Sequence, residues 1–298
     1  MYVKIIYSNS PLPLEEGLGV KAVIKIATID LYNNERNEGM RCIREIVSDT
    51  QTKSNGVEIS YEVFDTRFKG EVPEIENDIF ISSGGPGSPF EGEGTQWEKD
   101  YFNLIQKIWN HNQKNPERKK YLFFICHSFQ MMGRFFKFGI VNQRHSKSFG
   151  VMPFTLTKEG KSDNILKGLS NPFYAADIRQ FQVVEPNNKI INELGAKILS
   201  YEIVDDDDKA QPSIGAIRIS DEIAGTQFHP EADPESMLYH FKQDERKKQV
   251  VEKYGEKRYN EMIEILQRPD TIQKTRKTII PSFLNNAIEE LTTVISRK

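Results

Sequence analysis

YLFFICHSFQMMGRFF, residues 121–136, joins two patterns with no loop between them. The first five residues are apolar at every position, which predicts a central strand covered on both faces. From Cys126 an amphipathic helical pattern starts at once. A strand, a sharp turn and a helix with a nucleophile at the turn make a nucleophile elbow. The sulfur then sits at a helix N-terminus, where free N–H groups and the helix dipole favour thiolate over thiol. The competing reading makes Cys126 one more small apolar core residue, as most free cysteines are.

Outward from this stretch, short apolar runs alternate with amphipathic segments. Strands are predicted at 22–30, 58–64, 78–82, 121–125, 197–201, 214–219 and 223–228, and helices at 40–47 and 97–109. This alternation predicts an α/β fold, an open mixed and mostly parallel sheet with helices on both faces, plus a C-terminal helical extension. We place the α/β domain at 1–238 and the extension at 239–298, packed on or beside it. Pro234 and Pro281 suit first turns of helices, and Arg268-Pro269-Asp270 suits a connection. Residues 1–20 read either as an edge strand or as a wrapping arm. Asp205 to Asp208 read as a flexible acidic loop rather than a cation site, since adjacent carboxylates repel and no calcium-loop spacing surrounds them.

The 298 residues carry 40 Lys+Arg against 43 Asp+Glu, a net charge of −3, and the pI is near 6.1. That balance offers no basic field to nucleic acid or an anionic membrane. No apolar run reaches the roughly 18 residues of a membrane span, and no signal peptide is legible at the N-terminus. Only two cysteines are present, Cys42 and Cys126, so a disulfide framework is excluded and a reducing, cytoplasmic setting is expected. No His/Cys/Asp cluster has metal-ligand spacing, and no cofactor is expected.

Two further motifs carry chemistry. DIFISSGGPGSP, 78–89, runs a strand into a glycine loop whose N–H groups can converge on an oxyanion; it lacks the Lys-[Ser/Thr] of a phosphate loop. A plain tight turn is the alternative. IAGTQFHPEADP, 223–234, ends a strand near His229 with Glu231 two residues on. An imidazole there can take a proton from a thiol while the carboxylate fixes its tautomer, although a lone His at a strand end is more often structural. All three motifs fall at strand ends, which an open α/β sheet gathers on one edge.

Taken together, GGPGSP, Cys126 with Gln130 four residues on, and QFHPE resemble the class I (triad) glutamine amidotransferase domain, in particular stand-alone domains similar to the glutaminase part of GMP synthase. The likeness covers about 25–234. It implies a flavodoxin-like fold and a cysteine-dependent hydrolysis of glutamine through a γ-glutamyl thioester. Cys126 is then the nucleophile, His229 the general base and acid, and Glu231 its partner. Gly85 and His127 supply the oxyanion-hole amides, and Gln130 helps hold the substrate. Ammonia passes to a synthetase subunit.

Three departures stand out. Phe124 and Ser128 replace the elbow glycines. Asp177-Ile178-Arg179-Gln180 replaces a Ser-His-Gly-Asp-type stretch, so Arg179 either binds a substrate carboxylate or closes the pocket beside Gln180. Ser148 replaces a glutamate. The same triad would therefore also suit a γ-glutamyl amide or peptide hydrolase or an acyl transferase. A third reading is a non-catalytic binding module whose charged C-terminal helices form a partner or homo-oligomer interface.

Overall fold

In the computed structural model, which describes residues 5–6, 23–53, 57–204 and 212–296, the run at 121–125 is a strand with all five residues buried. Its alternate side chains enter two different cores: Tyr121, Phe123 and Ile125 lie in one, Leu122 and Phe124 in the other. That period of two is why an unbroken apolar run is required here.

The strands are β1 (Ile5–Ile6), β2 (Val23–Asp30), β3 (Glu58–Asp65), β4 (Ile79–Ser82), β5 (Tyr121–Ile125), β6 (Ile140–Leu156), β7 (Phe173–Val184), β8 (Lys197–Glu202), β9 (Ile214–Ser220) and β10 (Ile223–Thr226). Among the described residues they form one sheet in the order β1-β3-β2-β4-β5-β10-β9-β8-β6-β7. The block β3-β2-β4-β5-β10 is parallel. An antiparallel wing, β9-β8-β6-β7, continues from it. Of the first twenty residues only β1 is described, and it pairs antiparallel with β3 at the edge. The acidic run at 205–208 lies outside the described residues.

Helices α1 (Gly39–Lys53), α2 (Thr66–Lys69), α3 (Gln96–Lys114), α4 (His127–Phe136), α5 (Lys158–Ser162), α6 (Asn188–Leu194), α7 (Pro234–Phe241), α8 (Asp244–Gln267) and α9 (Ile272–Ser296) complete the fold. One face of the sheet is covered by α3 and α4, through Tyr101, Leu104, Ile105, Ile108, Phe129 and Met132. The opposite face is covered by α1, through Met40, Ile43, Ile46 and Val47, together with α7, α8 and α9. The buried spacing of α1 follows the 3.6-residue period. No described helix is long and apolar enough to cross a membrane.

Two readings of the sequence are corrected. Hairpin β6–β7 is absent from the predicted strands, because the first half of β6, IVNQRHSKS, is polar and mostly solvent-facing; its order comes from pairing with β7, not from a hydrophobic period. Pro281 lies inside α9 rather than in its first turn. It removes one helical hydrogen bond, a loss of roughly 3 kcal/mol in a free helix, and the buried run Ile279, Ile280, Phe283, Leu284 holds the segment to the sheet. α8 is kinked at Gly255, where φ is 80°.

α9 closes the same core that the sheet begins. The Phe283 ring packs against Phe123 at 5.1 Å and against Tyr121 at 6.4 Å between centroids. Phe283→Ala should therefore lower unfolding stability by about 3–5 kcal/mol. Denaturant unfolding followed by fluorescence and by circular dichroism checks this, with one coincident transition expected from both probes.

Candidate active site

Cys126 is placed by the end of β5 and the start of α4. Its φ of 49° and ψ of −99° lie outside the ordinary wells of an L-residue, a strain on the order of 1–3 kcal/mol. The backbone on both sides is held. The Cys126 amide donates to Thr226 O at 2.9 Å, extending the β5–β10 ladder, and its carbonyl accepts from Gln130 N at 3.1 Å in the first turn of α4.

Ser128, at a position where the sequence likeness has glycine, does part of this holding. Its Oγ accepts from the Ile125 amide at 2.8 Å and donates to Ser82 O at 2.8 Å, tying the ends of β5 and β4 together. Phe124, at the other glycine position, is accommodated from the neighbouring strand. Gly225 is its register partner, and a Cβ at 225 would lie 2.9 Å from Phe124 Cβ. The absent side chain at Gly225 leaves room for Phe124 beside the elbow.

His229 lies beyond the end of β10. Its amide donates to Ala176 O of β7 at 2.8 Å, so the antiparallel wing curls back over the carboxyl edge of the parallel strands. On the side-chain end, Nδ1 pairs with Glu231 Oε1 at 2.7 Å. Burial works to lower the His229 pKa, but the Cys126 sulfur and the Glu231 carboxylate, both hydrogen-bonding neighbours of the ring, raise it well above the usual value. The imidazole is therefore a strong proton acceptor between a sulfur and a carboxylate. Gly84 belongs to the same arrangement: a Cβ there would meet His229 Cε1 at 2.9 Å and Tyr32 Oη at 3.1 Å.

The glycine loop after β4 carries Gly85 against the backbone of Leu31. Arg67 fixes the next peptide by donating to Pro86 O at 2.6 Å and to Glu91 Oε2 at 2.9 Å. Opposite it, His127 opens α4, where backbone N–H groups have no partner within the helix. Gly85, Cys126, Gln130, Arg179, Gln180, His229 and Glu231 all line one cavity of about 470 Å³. His127 contributes position rather than side chain. Its ring is buried, and Nδ1 has no hydrogen-bond partner among the described residues. Burial, then Arg67 and Arg134, push its pKa down to about 3.

β7 forms the facing wall. Cys126 Sγ lies 3.7 Å from Ile178 O, and Gln130 Nε2 donates to Phe181 O at 3.0 Å. Gln180 is exposed on this wall. Arg179 lines the cavity, but its guanidinium points into a buried ion cluster: Nε reaches both Asp177 oxygens at 2.8 and 2.9 Å, and Nη2 reaches Glu202 at 2.7 Å and Ser213 at 3.0 Å. Burial alone would raise the Glu202 pKa, yet Arg179 and Arg144 hold it down to about 2. No group of three or more potential metal ligands occurs among the described residues.

Several residues of the site carry no functional expectation in the sequence reading. Tyr32, from the β2–α1 loop, puts its hydroxyl beside Gly84 and Gly39. Cys42 is buried and lines the same cavity. Arg276 of α9 donates to the Glu231 carbonyl and, at 2.8 Å, to Glu45. Beside it, Thr275 Oγ1 donates to Tyr174 O of β7 at 2.8 Å. None of these lies within the three motifs, and only tertiary contact brings them in.

The sequence model described as Glutamine amidotransferase class-I matches residues 44–246. Among solved structures, a glutamine amidotransferase from Thermotoga maritima superposes with a TM-score of 0.62 at 17% identity, covering 89% of this chain and 98% of the other. A glutamine amido transferase from Methylobacillus flagellatus superposes with a TM-score of 0.51 at 12% identity, covering 94% and 95%. At these identities the structures share the fold. No curated protein is significantly similar to the chain.

The buried neutral His127 gives stability a definite pH dependence. Between about pH 6.5 and 3 the unfolded chain binds a proton at this site that the folded chain refuses, so stability falls as pH drops through that window. His127→Asn should flatten the slope there by up to about 1.4 kcal/mol per pH unit. Urea titrations of both proteins at several pH values between 7 and 3.5 measure the difference.

Proposed function

Because the chain belongs to the class I glutamine amidotransferase family, we propose that it is a cysteine-dependent amidase that hydrolyses the side-chain amide of glutamine and releases ammonia for a synthetase partner. The observation that carries this reading is the His229 imidazole, paired with Glu231 at 2.7 Å and adjacent to the sulfur of a strained elbow cysteine.

The chemistry follows from that geometry. His229 takes the thiol proton, and Cys126 sulfur attacks the amide carbon, forming a C–S bond. The carbonyl oxygen becomes an oxyanion that the Gly85 and His127 amides are poised to receive; one such donor is worth on the order of 10²–10³ in rate. When the tetrahedral adduct collapses, the C–N bond breaks and the nitrogen takes the proton from His229, leaving as ammonia. A water molecule then gives a proton to His229 and adds to the thioester, and the C–S bond breaks to return the thiol and free glutamate. Glu231 stabilises the imidazolium at both stages.

Gln130, Arg179 and Gln180 act through the β7 wall. Gln130 braces it from α4, Arg179 anchors it through the ion cluster, and Gln180 faces the cavity from it. The two free cysteines suit a cytoplasmic setting. The polar residues converging on one cavity favour this reading over a non-catalytic binding module.

Release of glutamate from L-glutamine should vanish in Cys126→Ala and fall at least about 10³-fold in His229→Ala, with both variants still folded by circular dichroism. Full glutaminase activity in either variant refutes the reading. Arg276 should act as a positioning residue for Glu231. Arg276→Ala should lower kcat about tenfold or more with little change in KM, the size of a lost charge-assisted hydrogen bond; partial recovery in Arg276→Lys distinguishes positioning from a general loss of fold.

A further inference from the structure

Of the two amides poised to receive the oxyanion, the one at His127 is held by the start of a helix. The one at Gly85 sits in a loop whose glycines have no stiffness of their own, so its aim must come from residues around it. Gly85 lines the cavity, and its N–H makes no hydrogen bond with a described residue. The Gly84–Gly85 peptide is trans, which points that N–H opposite to the Gly84 carbonyl. Whatever holds the carbonyl therefore aims the amide.

The fixed point is Leu31, the residue after β2, which is fully buried and tied to the loop through both of its backbone groups. Its amide donates to Ser83 Oγ at 2.9 Å, and the same hydroxyl donates to Gly84 O at 2.8 Å. Its carbonyl lies so close to Gly85 that a Cβ there would collide with it. That carbonyl also accepts from Arg67 Nη1 at 3.4 Å. The same Nη1 donates to Pro86 O at 2.6 Å, while Nη2 reaches Glu91 Oε2 at 2.9 Å. Gly87, at φ 77°, leaves room for this pair, since a Cβ there would lie 2.5 Å from Glu91 Oε2 and 3.4 Å from Arg67 Nη2. Ser83 thus grips the Gly84–Gly85 peptide itself, and Arg67 grips the loop just beyond it. Both side chains are buried, where a polar bond is costly to leave unmade.

We propose that Ser83 and Arg67 are positioning residues of the amidase reaction: anchored on Leu31, they aim the Gly85 N–H at the oxyanion that forms beside Cys126. The inference rests on the cysteine amidase reading above and deepens it. Neither side chain needs to touch the substrate. The oxyanion appears only as the C–S bond forms, so an amide free to swing loses stabilisation in the transition state and little in substrate binding. The forked guanidinium matters because its two nitrogens serve two partners at once, which a single ammonium point charge cannot do.

The experiment measures glutamate release from L-glutamine by the wild type, Ser83→Ala, Arg67→Met and Glu91→Ala, with Cys126→Ala as the blank. In the same proteins, alkylation of Cys126 by iodoacetamide is followed by mass spectrometry across pH. Displacement of iodide forms no oxyanion, so alkylation reports the thiol and His229 without the Gly85 amide. Ser83→Ala and Arg67→Met should each lower kcat by about tenfold or more, short of the 10²–10³ of losing a donor outright, with KM within about twofold. The alkylation rate and its pH profile should stay at wild-type values. Glu91 is exposed, so Glu91→Ala withdraws a partner of Arg67 without opening the core, and it should lower kcat several-fold in the same pattern. Wild-type kcat in both Ser83→Ala and Arg67→Met overturns the proposal and leaves the amidase reading standing. So does a fall in alkylation that matches the fall in kcat, which marks a disordered elbow rather than a misdirected amide. Absence of Cys126-dependent glutamate release from the wild type overturns both.

Discussion

A cysteine held at φ 49° and ψ −99° does not stay there by its own preference. The conformation lifts the sulfur out of the sheet and aims it over the carboxyl edge, and the neighbouring pieces keep it from relaxing. The β10 ladder takes its amide, the first turn of α4 takes its carbonyl, and the Ser128 hydroxyl bolts the ends of β4 and β5 together beneath it. Strain of this kind persists only where surrounding contacts over-determine it. The apolar filling of β5 on both faces makes that possible, because a strand packed from two sides cannot shift to relieve its own end.

The antiparallel wing turns this edge into an enclosed site. By curling over β10 it gives Ala176 to the His229 amide, Ile178 to the Cys126 sulfur and Phe181 to Gln130. A strand at the edge of a sheet would ordinarily be free to slip. Here Arg179 is locked by Asp177, Glu202 and Ser213, and Arg144 adds a second bond to Glu202. Burying such charges is costly, and removing one partner costs more than the pair is worth. The cluster holds Arg179, and with it the position of β7 along the candidate site.

The C-terminal helices serve both packing and site. α9 supplies Phe283 to the core beneath β5 and Arg276 to the carbonyl of Glu231, so the segment that covers the sheet also holds the loop that carries His229 and Glu231. α7 and the start of α8 line the same cavity through Ser236, Met237, Phe241 and Arg246. One structural layer completes both the hydrophobic core and the lining of the cavity.

That Cys126, His229 and the glycine loop fall at strand ends was legible in the chain itself, because a strand-turn-helix elbow, a strand-terminal His-x-Glu and a glycine cluster each need particular residues at fixed short spacings. Strand β5 was legible because a strand covered on both faces is apolar at every position, and β2 and β3 because their apolar residues recur in short β-rich runs. The β6–β7 hairpin was not, since its order depends on a partner far along the chain. Nor was the use of Arg179, whose guanidinium turns away from the cavity toward two carboxylates, one of them 23 residues distant. The exchange of a large residue at 124 against a small one at 225 is likewise invisible until the two strands are paired. Local chemistry was set by sequence, whereas the walls that orient it, the residues that brace it and the size of the cavity were decided by tertiary structure, because they depend on contacts between segments whose spacing along the chain carries no signal.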